Sequence, residues 1–479
     1  MTTVAECLPL ARKACDYLTA SPDPYHAVNN AATKLRVAGF ECLQARKPFA
    51  GKMRPGGKYY YTQDDTAIVA FTIGTQLDVD RPYGFKIIAG HTDSPNLRVK
   101  PRSKRTSAGE CVQLAVECYG GGLWHTWFDR DLGVSGKVLV RNGSSIESKF
   151  VLIELPVARV SNLAIHLATA DERAAFRVNK EDHLQPIIGT KSVLEEEAKE
   201  QLQDGWTEFQ EPELLSLISA ELGVEAKCIV DFDLCLFDMQ PAAIAGIKSE
   251  FVHSGRLDNL ATCFVSVEAL LTHAESSLAG DTDISIVILF DHEEVGSGST
   301  TGACSPIMSE AVRRISSALS PKSTEDFHSA ILRQSFCLSI DMAHALHPNY
   351  SNKHEKGHAP ELNKGIVIKT NRNQRYATSL ISDHILREVA RRESLTPPQA
   401  FVVRNDCGCG STIGPTLAQN TGIRTVDAGM PQLSMHSCRE TMGTMDLMNG
   451  LQLFLAFFNH FREVDNQLSE GYCCDIEQR

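Results

Sequence analysis

The sequence lacks two features that would connect it to a membrane or to nucleic acid. Its apolar run LFLAFF, at residues 453–458, is far shorter than the roughly 20 residues that a membrane-spanning helix needs. It also has no basic excess, because 59 acidic residues against 47 basic ones leave a formal net charge of −12. An acidic total argues against a nucleic-acid-binding protein and against one that lies on an anionic membrane. We therefore expect neither a membrane nor a nucleic-acid partner.

A disulfide framework and a secretory signal are missing as well. The 15 cysteines are an odd number without regular spacing, which indicates free thiols in a reducing compartment. The N-terminus MTTVAECLPLARKACDYL has no charged head followed by an apolar core. These observations predict a cytoplasmic location. The chain has no GxSxG, HExxH or P-loop pattern, so a serine hydrolase, a zincin and a phosphate-loop protein are all unsupported.

The sequence does contain short apolar runs typical of strands, and these alternate with segments of helical periodicity. Such alternation predicts an α/β fold, with a mostly parallel sheet flanked by helices. At 479 residues the chain exceeds one ordinary hydrophobic core. The runs that we expect to be strands of this sheet are FKIIAG (85–90), ISIVILF (284–290), FCLSID (336–341) and IRTVDAG (423–429).

Between residues 96 and 240 the pattern changes to short β-rich runs separated by glycines and charged turns. One charged helix is predicted in this region, near residues 193–204. The change predicts two domains. Residues 1–95 and 241–479 would form a discontinuous α/β domain, and residues 96–240 an inserted β-rich domain large enough to hold its own core.

The most informative stretch is ISIVILFDHEEVGSG, where a buried strand ends in Asp291, His292, Glu293 and Glu294. Two adjacent carboxylates at the end of a buried strand are costly unless something pairs with them. A metal ion is the simplest partner. Adjacency would let one glutamate bind the metal while its neighbour handles protons, which predicts an active site here.

Other chemistry-bearing residues also follow predicted strands or enter helices. In open α/β sheets the ligand crevice lies beyond the carboxyl ends of the strands, where such residues meet. Histidine and carboxylates together suit Zn²⁺, Mn²⁺ or Co²⁺, and two such ions would need about five ligands, with one carboxylate bridging. The number of candidates fits two ions. They are His91 and Asp93 in GHTD, Asp258 in SGRLDN, the segment Asp291–Glu294, Asp341 and His344 in DMAH, and His436 in MHSCRE.

Each candidate has a simpler interpretation when it is taken alone. The glutamate pair could be a solvated helix N-terminus, and Asp258 could be only an N-cap. Asp341 could be a turn residue after its strand. Cys407 and Cys409 are more simply ordinary thiols in a glycine-rich loop than metal ligands. The irregularly spaced histidines at 344, 347, 354 and 358 would by default lie at the surface or line a substrate site. Joint occurrence at strand ends favours the metal centre.

At this point the chain resembles the aspartyl aminopeptidases, a family of exopeptidases with two cocatalytic metal ions. The matching motifs follow one another in order from residue 21 to residue 440, so they span nearly the whole chain. They are SPDPYHAV, GHTDSPNLRVKP, YGGGLWHTWFDRDLGVSGKV, NLAIHL, SGRLDN, LFDHEEVGS, DMAHALHPNY, NKGIVIKTNRNQRYAT, CGCGSTIGP and MHSCRE.

The resemblance implies a zinc exopeptidase-like fold and a role for each residue of the metal centre. Asp258 would bridge two Zn²⁺ ions, with Mn²⁺ or Co²⁺ possible at one position. His91 and Asp341 would bind one ion, and Glu294 and His436 the other. Glu293 would be the general base that deprotonates the bridging water, and Asp93 would orient His91 from behind.

For the substrate, the resemblance implies a pocket formed by Glu293, His344, Lys369 and Tyr376. Lys369 would attract an acidic side chain, so the expected reaction is the removal of N-terminal Asp or Glu from peptides. His166, on the inserted domain, would reach a neighbouring subunit's active site. Its apolar neighbours in the sequence, taken alone, favour a buried histidine instead. The inserted domain would mediate dimerisation within a homododecamer.

Two other functions stay open at this point. One is a metal-dependent deacylase or carboxypeptidase on the same fold. The other is an oligomeric binding protein without catalysis. The resemblance also implies that no N-terminal targeting extension precedes the first motif, which agrees with the expected cytoplasmic location.

Overall fold

The computed structural model describes residues 3–194, 205–320 and 324–469. The charged helix predicted near 193–204 therefore lies outside the described residues, except for its first two positions. None of the described helices is long and apolar enough to cross a membrane. The helices in this part of the chain are α1 (Val4–Thr19), α2 (Pro24–Val37), α3 (Ala170–Ala174), α4 (Lys191–Leu194), α5 (Pro212–Leu222), α6 (Leu257–Ser276), α7 (Ile307–Leu319), α8 (Glu325–Gln334), α9 (Leu380–Arg392), α10 (Gly414–Thr421) and α11 (Thr444–Ser469).

The strands of the described residues belong to three sheets. Short 3₁₀ turns connect some of them, and the turn at Glu293–Val295 matters most for the site. The strands are β1 (Glu41–Cys42), β2 (Lys58–Gln63), β3 (Ala67–Ile73), β4 (Phe85–His91), β5 (Asn96–Arg105), β6 (Cys111–Tyr119), β7 (Leu132–Asn142), β8 (Ser145–Ala158), β9 (Ile187–Thr190), β10 (Ile229–Asp238), β11 (Ala243–Ala245), β12 (Phe251–Ser254), β13 (Ile284–Phe290), β14 (Phe336–Ile340), β15 (Ala343–His344), β16 (Val367–Lys369), β17 (Gln399–Phe401), β18 (Arg424–Gly429), β19 (Pro431–Leu433) and β20 (Glu440–Gly443).

The largest sheet has nine strands in the order β1-β2-β3-β13-β4-β14-β18-β16-β17. Its four central strands, β13, β4, β14 and β18, pair in parallel. The neighbours on either side differ, because β3 is antiparallel to β13 and β16 is antiparallel to β18. The predicted α/β class is confirmed, and the sheet as a whole is mixed.

Helices cover both faces of this sheet. Every residue of β3, β4, β13 and β14 is buried, as their nearly continuous apolar sequences require. On one face the strands pack against α1, α2, α6, α9 and α11, and on the other against α7, α8 and α10. Each fully buried Leu, Ile or Phe contributes about 1.5–3 kcal/mol relative to an exposed one. The sheet is therefore a rigid base for residues at its strand ends.

The second sheet has six strands in the order β8-β7-β10-β5-β6-β9 and lies wholly between residues 96 and 238. It has its own apolar cluster, which includes Leu97, Val134, Leu234 and side chains of α5. A third sheet, β11-β12-β20-β19-β15, consists of short strands. The exact division of the chain into domains stays a prediction.

Candidate metal centre

His91 and Asp341 lie side by side because their strands are parallel neighbours. His91 is the last residue of β4, and Asp341 directly follows β14. The side chain of Asp258, near the start of α6, faces both. The Nε2 atom of His91 lies 3.4 Å from Asp258 Oδ1 and 3.5 Å from Asp341 Oδ1. All three side chains are largely buried, so their charges interact strongly.

A second group uses the other oxygen of Asp258. His436 Nε2 lies 3.5 Å from Asp258 Oδ2 and 3.2 Å from Glu294 Oε1. Each of the two groups brings its three ligand atoms within 4.8 Å of one another. Asp258 is common to both, so the structure brings all five predicted ligands together in two overlapping triads.

The five side chains fit a metal ion in both geometry and charge. Asp258 Oδ1 and Glu294 Oε1 are buried and accept no hydrogen bond. Leaving such oxygens unpaired is costly, and a cation would satisfy them. Imidazole nitrogens and carboxylate oxygens are ligands that zinc accepts. The simpler interpretations of Asp258 and of the glutamate pair are wrong, since Asp258 does not cap α6 and the Glu294 side chain is only 4% exposed.

Charges in the centre are strongly coupled. Burial opposes the charged form of Asp258, but the imidazoles of His436 and His91 beside it hold the pKa of this carboxyl well below its ordinary value. Burial raises the pKa of Glu294 to about 7, although His436 acts against this shift. Metal binding needs both carboxylates ionised, so a bound cation would displace any proton from Glu294.

Glu293 lies in a tight turn that lets it face the same space. The turn is bracketed by His292 and Gly296, both with positive φ, at 60° and 95°. Burial raises the pKa of Glu293 to about 8, and the nearby carboxylates of Asp341 and Glu294 add to the rise while His91 opposes it. A ligand atom of Glu293 also lies within 4.8 Å of atoms of His91 and Glu294. Glu293 therefore lies beside His91, whereas Glu294 also faces His436 and Asp258.

Asp93 fixes the position of the glutamate pair. Its Oδ1 accepts a hydrogen bond from the main-chain N–H of Glu293 at 3.0 Å, and its Oδ2 accepts one from Glu294 N–H at 3.1 Å. His91 Nδ1 lies 3.0 Å from the Asp93 main-chain oxygen and 3.3 Å from Oδ1. Asp93 contacts His91 as predicted, and it also holds the turn that carries both glutamates.

The predicted substrate residues line a cavity of about 450 Å³ beside these groups. Lys369 is buried at the end of β16, with its Nζ 3.3 Å from Asp341 Oδ2 and 5.5 Å from the centre of the Tyr376 ring. The side chain of His344 is exposed, and the centre of its ring lies 5.6 Å from the centre of the Phe401 ring. The lining also includes Asp258, Glu293, Glu294, Asp341, Tyr376 and His436.

His166 is the one predicted site residue that lies elsewhere in the described structure. It is exposed on the loop that follows β8, and it does not line the cavity. The interpretation of His166 as a buried residue is therefore wrong for this chain by itself. Its apolar neighbours Leu163, Ile165 and Leu167 are 59%, 66% and 73% exposed.

Two residues that position the centre were missed from the sequence. Glu440, the first residue of β20, accepts hydrogen bonds from His436 N–H at 2.7 Å and from Asp258 N–H at 3.1 Å. The Tyr119 hydroxyl donates to Asp93 Oδ2 at 2.7 Å. Glu440 stands within the motif MHSCRE, but nothing in that motif distinguished it from a surface glutamate.

Cys407 and Cys409 are free thiols. Neither belongs to a group of metal-ligating side chains in the part of the chain that the structure describes. This agrees with their interpretation as ordinary thiols.

A family model and curated relatives match this chain over most of its length. The family model described as "Aminopeptidase I zinc metalloprotease (M18)" matches residues 17–458. An aspartyl aminopeptidase from Aspergillus oryzae is 44% identical over 94% of this chain and 96% of its own. One from Dictyostelium discoideum is 42% identical over 96% of this chain and 98% of its own.

Solved structures are similar over nearly the whole chain. The structure titled as the Ape4 and Nbr1 complex has a TM-score of 0.92 and 42% identity, and the match covers 97% of this chain and 88% of that one. The structure titled as the S. cerevisiae mApe1 dodecamer has a TM-score of 0.85 and 29% identity, covering 96% of this chain and 99% of that one.

Proposed function

The chain belongs to the M18 aminopeptidase I family of zinc metalloproteases, and from this premise we propose that it removes N-terminal Asp or Glu from peptides. Family membership makes the protein a zinc-dependent hydrolase that acts on peptide bonds. The observation that carries the more specific proposal is the pair of triads sharing Asp258, with a buried lysine in the same cavity.

Two zinc ions would occupy the two triads. His91 and Asp341 would hold one ion, Glu294 and His436 the other, and Asp258 would contribute one oxygen to each. The positions of the two unpaired oxygens, on Asp258 and Glu294, support this assignment. When bound, zinc supplies a Lewis acid and positive charge next to the scissile carbonyl. The same nitrogen and oxygen ligands would also accept Mn²⁺ or Co²⁺ at one position.

Glu293 would act as the general base. It would take a proton from the attacking water and pass it to the leaving amine. Its raised pKa, about 8, supports this role, because a base works best when its pKa is close to the operating pH. The hydrogen bonds from the Glu293 and Glu294 N–H groups to Asp93 would hold the base still during the transfer.

Lys369 would select acidic substrates. Its ammonium group is buried in the cavity wall, and a compact positive charge attracts the carboxylate of an Asp or Glu side chain. In the structure this group faces Asp341 Oδ2 at 3.3 Å, so a bound substrate would compete with Asp341 for it. His344 and Tyr376 would complete the pocket. The names of the relatives from A. oryzae and D. discoideum support this preference.

The test combines metal analysis with rates on three peptides that differ only in an N-terminal Asp, Glu or Leu. We expect about two zinc ions per chain, fast release of Asp and Glu, slow release of Leu, loss of turnover with a chelator and recovery with Zn²⁺. An N-acetylated Asp peptide should not be cleaved, because an aminopeptidase needs a free amine. Its cleavage would instead establish a deacylase or carboxypeptidase, and no turnover of any peptide by zinc-loaded protein would indicate a binding protein.

We further propose that the protein is a cytosolic homododecamer. The inserted domain, residues 96–240, would form the contacts between subunits, and His166 would reach a neighbouring subunit's active site. The exposed apolar side chains beside His166 support a contact there. The similar mApe1 structure is a dodecamer, and this state is carried over from it as part of the proposal. Residues 1–95 and 241–479 would form the catalytic domain.

A further inference from the structure

The segment Tyr119–Gly121 touches the candidate metal centre at three points. The Tyr119 hydroxyl donates to Asp93 Oδ2 at 2.7 Å. A Cβ atom on Gly120 would lie 3.2 Å from the Cβ of Glu294, so the two backbones approach closely. The carbonyl oxygen of Gly121 lies 3.1 Å from His436 Nδ1, at hydrogen-bond distance.

This segment is held from the second sheet rather than from the large one. Tyr119 ends β6, and the Arg98 guanidinium of the adjacent β5 lies over its ring, 3.9 Å from the ring centre. Arg98 Nη1 lies 3.2 Å from Asp233 Oδ2 on β10. The hydroxyl of Tyr25, in α2, donates to that same oxygen at 2.8 Å. Cross-strand contacts therefore fix the tyrosine ring and the end of β6.

Each contact acts on a group that the reaction uses. Tyr119 holds the carboxylate of Asp93, which in turn accepts the N–H groups of Glu293 and Glu294. Gly121 accepts from Nδ1 of His436 and leaves its Nε2 free to face Asp258 and Glu294, since a hydrogen bond at one ring nitrogen orients the other. Gly120 adopts a φ of 75°, which strains any residue with a side chain, and an added Cβ would crowd the Cβ of Glu294 at 3.2 Å.

We propose that Tyr119–Gly121 is a positioning segment through which the second sheet sets the geometry of Glu293, Glu294 and His436. Tyr119 acts through Asp93 and does not touch the substrate. The proposal rests on the proposed function, because it concerns the same site. Its test therefore includes a measurement that needs neither substrate nor turnover.

The first test uses Tyr119→Phe, which removes only the hydroxyl and keeps the ring under Arg98. We expect the N–H groups of Glu293 and Glu294 to exchange with deuterium about tenfold faster, because Asp93 loses one of its hydrogen-bond donors. On the Asp peptide we expect kcat to fall about tenfold, with KM changed less than about twofold and zinc content unchanged. Tyr17→Phe is the matched control, since its buried hydroxyl donates to the Ala27 carbonyl away from the site.

The second test uses Gly120→Ala, with Gly143→Ala as its control. Both glycines have positive φ, 75° and 59°, so alanine strains the backbone at each, but Gly143 has no atom within 4 Å of the added Cβ. We expect only Gly120→Ala to lower kcat, by at least about tenfold, and to weaken zinc retention during dialysis. If Gly120→Ala does not fold, the exchange and kinetic results for Tyr119→Phe still decide whether the segment positions the site.

Unchanged exchange at Glu293 and Glu294 in Tyr119→Phe, with kcat equal to that of Tyr17→Phe, would overturn the proposal. An equal loss of kcat in both tyrosine variants would do the same, because it would indicate a general loss of stability. Failure of the wild-type protein to cleave Asp peptides would count against the proposed function. The exchange result would still decide whether the segment positions the glutamate turn.

Discussion

At the scale of single residues, the glutamate pair shows how one short segment places two neighbouring carboxylates in different surroundings. Glu293 and Glu294 are neighbours in the chain, and their main-chain N–H groups donate to the two oxygens of one carboxylate, Asp93. Only Glu294 also lies near His436, with 3.2 Å between its Oε1 and the ring Nε2. This difference in surroundings is the basis for giving metal binding to Glu294 and proton transfer to Glu293.

Glu293→Gln should keep its metal but lose most turnover. Glutamine has nearly the same shape but cannot take a proton, and loss of a general base costs about 10²–10⁴-fold in rate. We expect zinc content equal to that of the wild-type protein and kcat on an Asp peptide lower by about 10³-fold. Glu294→Gln is the comparison, and we expect it to lose zinc. A zinc-replete Glu293→Gln protein with full activity would contradict the assignment.

Lys369→Leu should change the selectivity for the N-terminal residue more than the rate of peptide-bond hydrolysis. Leucine removes the positive charge and leaves an apolar wall, so an acidic side chain loses its partner while an apolar one gains a contact. We expect the Asp-over-Leu ratio of kcat/KM to fall by about 10-fold or more. Lys364→Leu, at an exposed lysine outside the cavity lining, should leave the ratio unchanged. An unaltered ratio in Lys369→Leu would exclude Lys369 as the determinant.

At the scale of secondary structure, the two ends of the large sheet have different roles. The carboxyl ends of β4, β13 and β14 carry the candidate metal centre. Near the opposite end, Lys86 of β4 forms a buried ion pair with Asp281, with 2.7 Å between Nζ and Oδ1. His273 of α6 lies 2.9 Å from the other oxygen of Asp281. This buried group connects the sheet with α6 away from the site, so it affects stability rather than catalysis.

Asp281→Asn should destabilise the fold in a pH-dependent way. Burial opposes ionisation, but the hydrogen bond with His273 and the charge of Lys86 lower the pKa of Asp281 to about 2, from a usual 3.8. A lowered pKa in the folded state stabilises the protein above about pH 4, and the benefit disappears as the pH falls towards 2. We expect the free energy of unfolding of the variant to lie about 3 kcal/mol below that of the wild-type protein at pH 6. At pH 2 this difference should be smaller by about 2 kcal/mol.

The measurement for Asp281 is urea unfolding of both proteins between pH 2 and pH 6. Asp80→Asn, at an exposed aspartate outside every described ion pair, is the control and should follow the wild-type curve. A loss of stability in Asp281→Asn that is the same at every pH would contradict the linkage to this carboxyl.

At the scale of the whole molecule, β8 of the second sheet and the connection from β8 to β9 carry apolar side chains that a single chain leaves exposed. Around the loop that bears His166, Leu163, Ile165 and Leu167 are all more than half exposed, and Leu155 and Phe176 are 59% and 49% exposed. Monomeric proteins rarely expose apolar side chains so close together in the chain, and such patches are typical of protein–protein contacts. The structure therefore supports the proposal that the second sheet lies between subunits.

Leu167→Asp should dissociate the proposed homo-oligomer. A charge placed in an apolar contact must be desolvated, which costs far more than the contact gains. We expect light scattering to report a smaller mass, with an unchanged circular dichroism spectrum. Val37→Asp, at an 83% exposed residue that ends α2, should keep the wild-type mass. An unchanged mass for Leu167→Asp would place the contact elsewhere.

Part of the candidate site could be predicted from the sequence because three of its segments follow parallel strands of one sheet. Parallel neighbours end at the same edge, so His91, Asp341 and the pair Glu293–Glu294 had to lie close together once the strands were recognised. The contacts of Glu440 and Gly121 with the site could not be predicted from the sequence. The two residues come from the third sheet and from the end of the second, and their contacts join residues far apart in the chain.

The sequence by itself determined the α/β class, the strand ends and the types of side chain that meet there, because these depend on local patterns of apolar and polar residues. Only the tertiary structure decided that Asp93 accepts the N–H groups of both glutamates, that Glu440 accepts those of His436 and Asp258, and that Tyr119–Gly121 reaches the centre from another sheet. Those relations depend on distances between segments that pack together in space, and no local pattern encodes them.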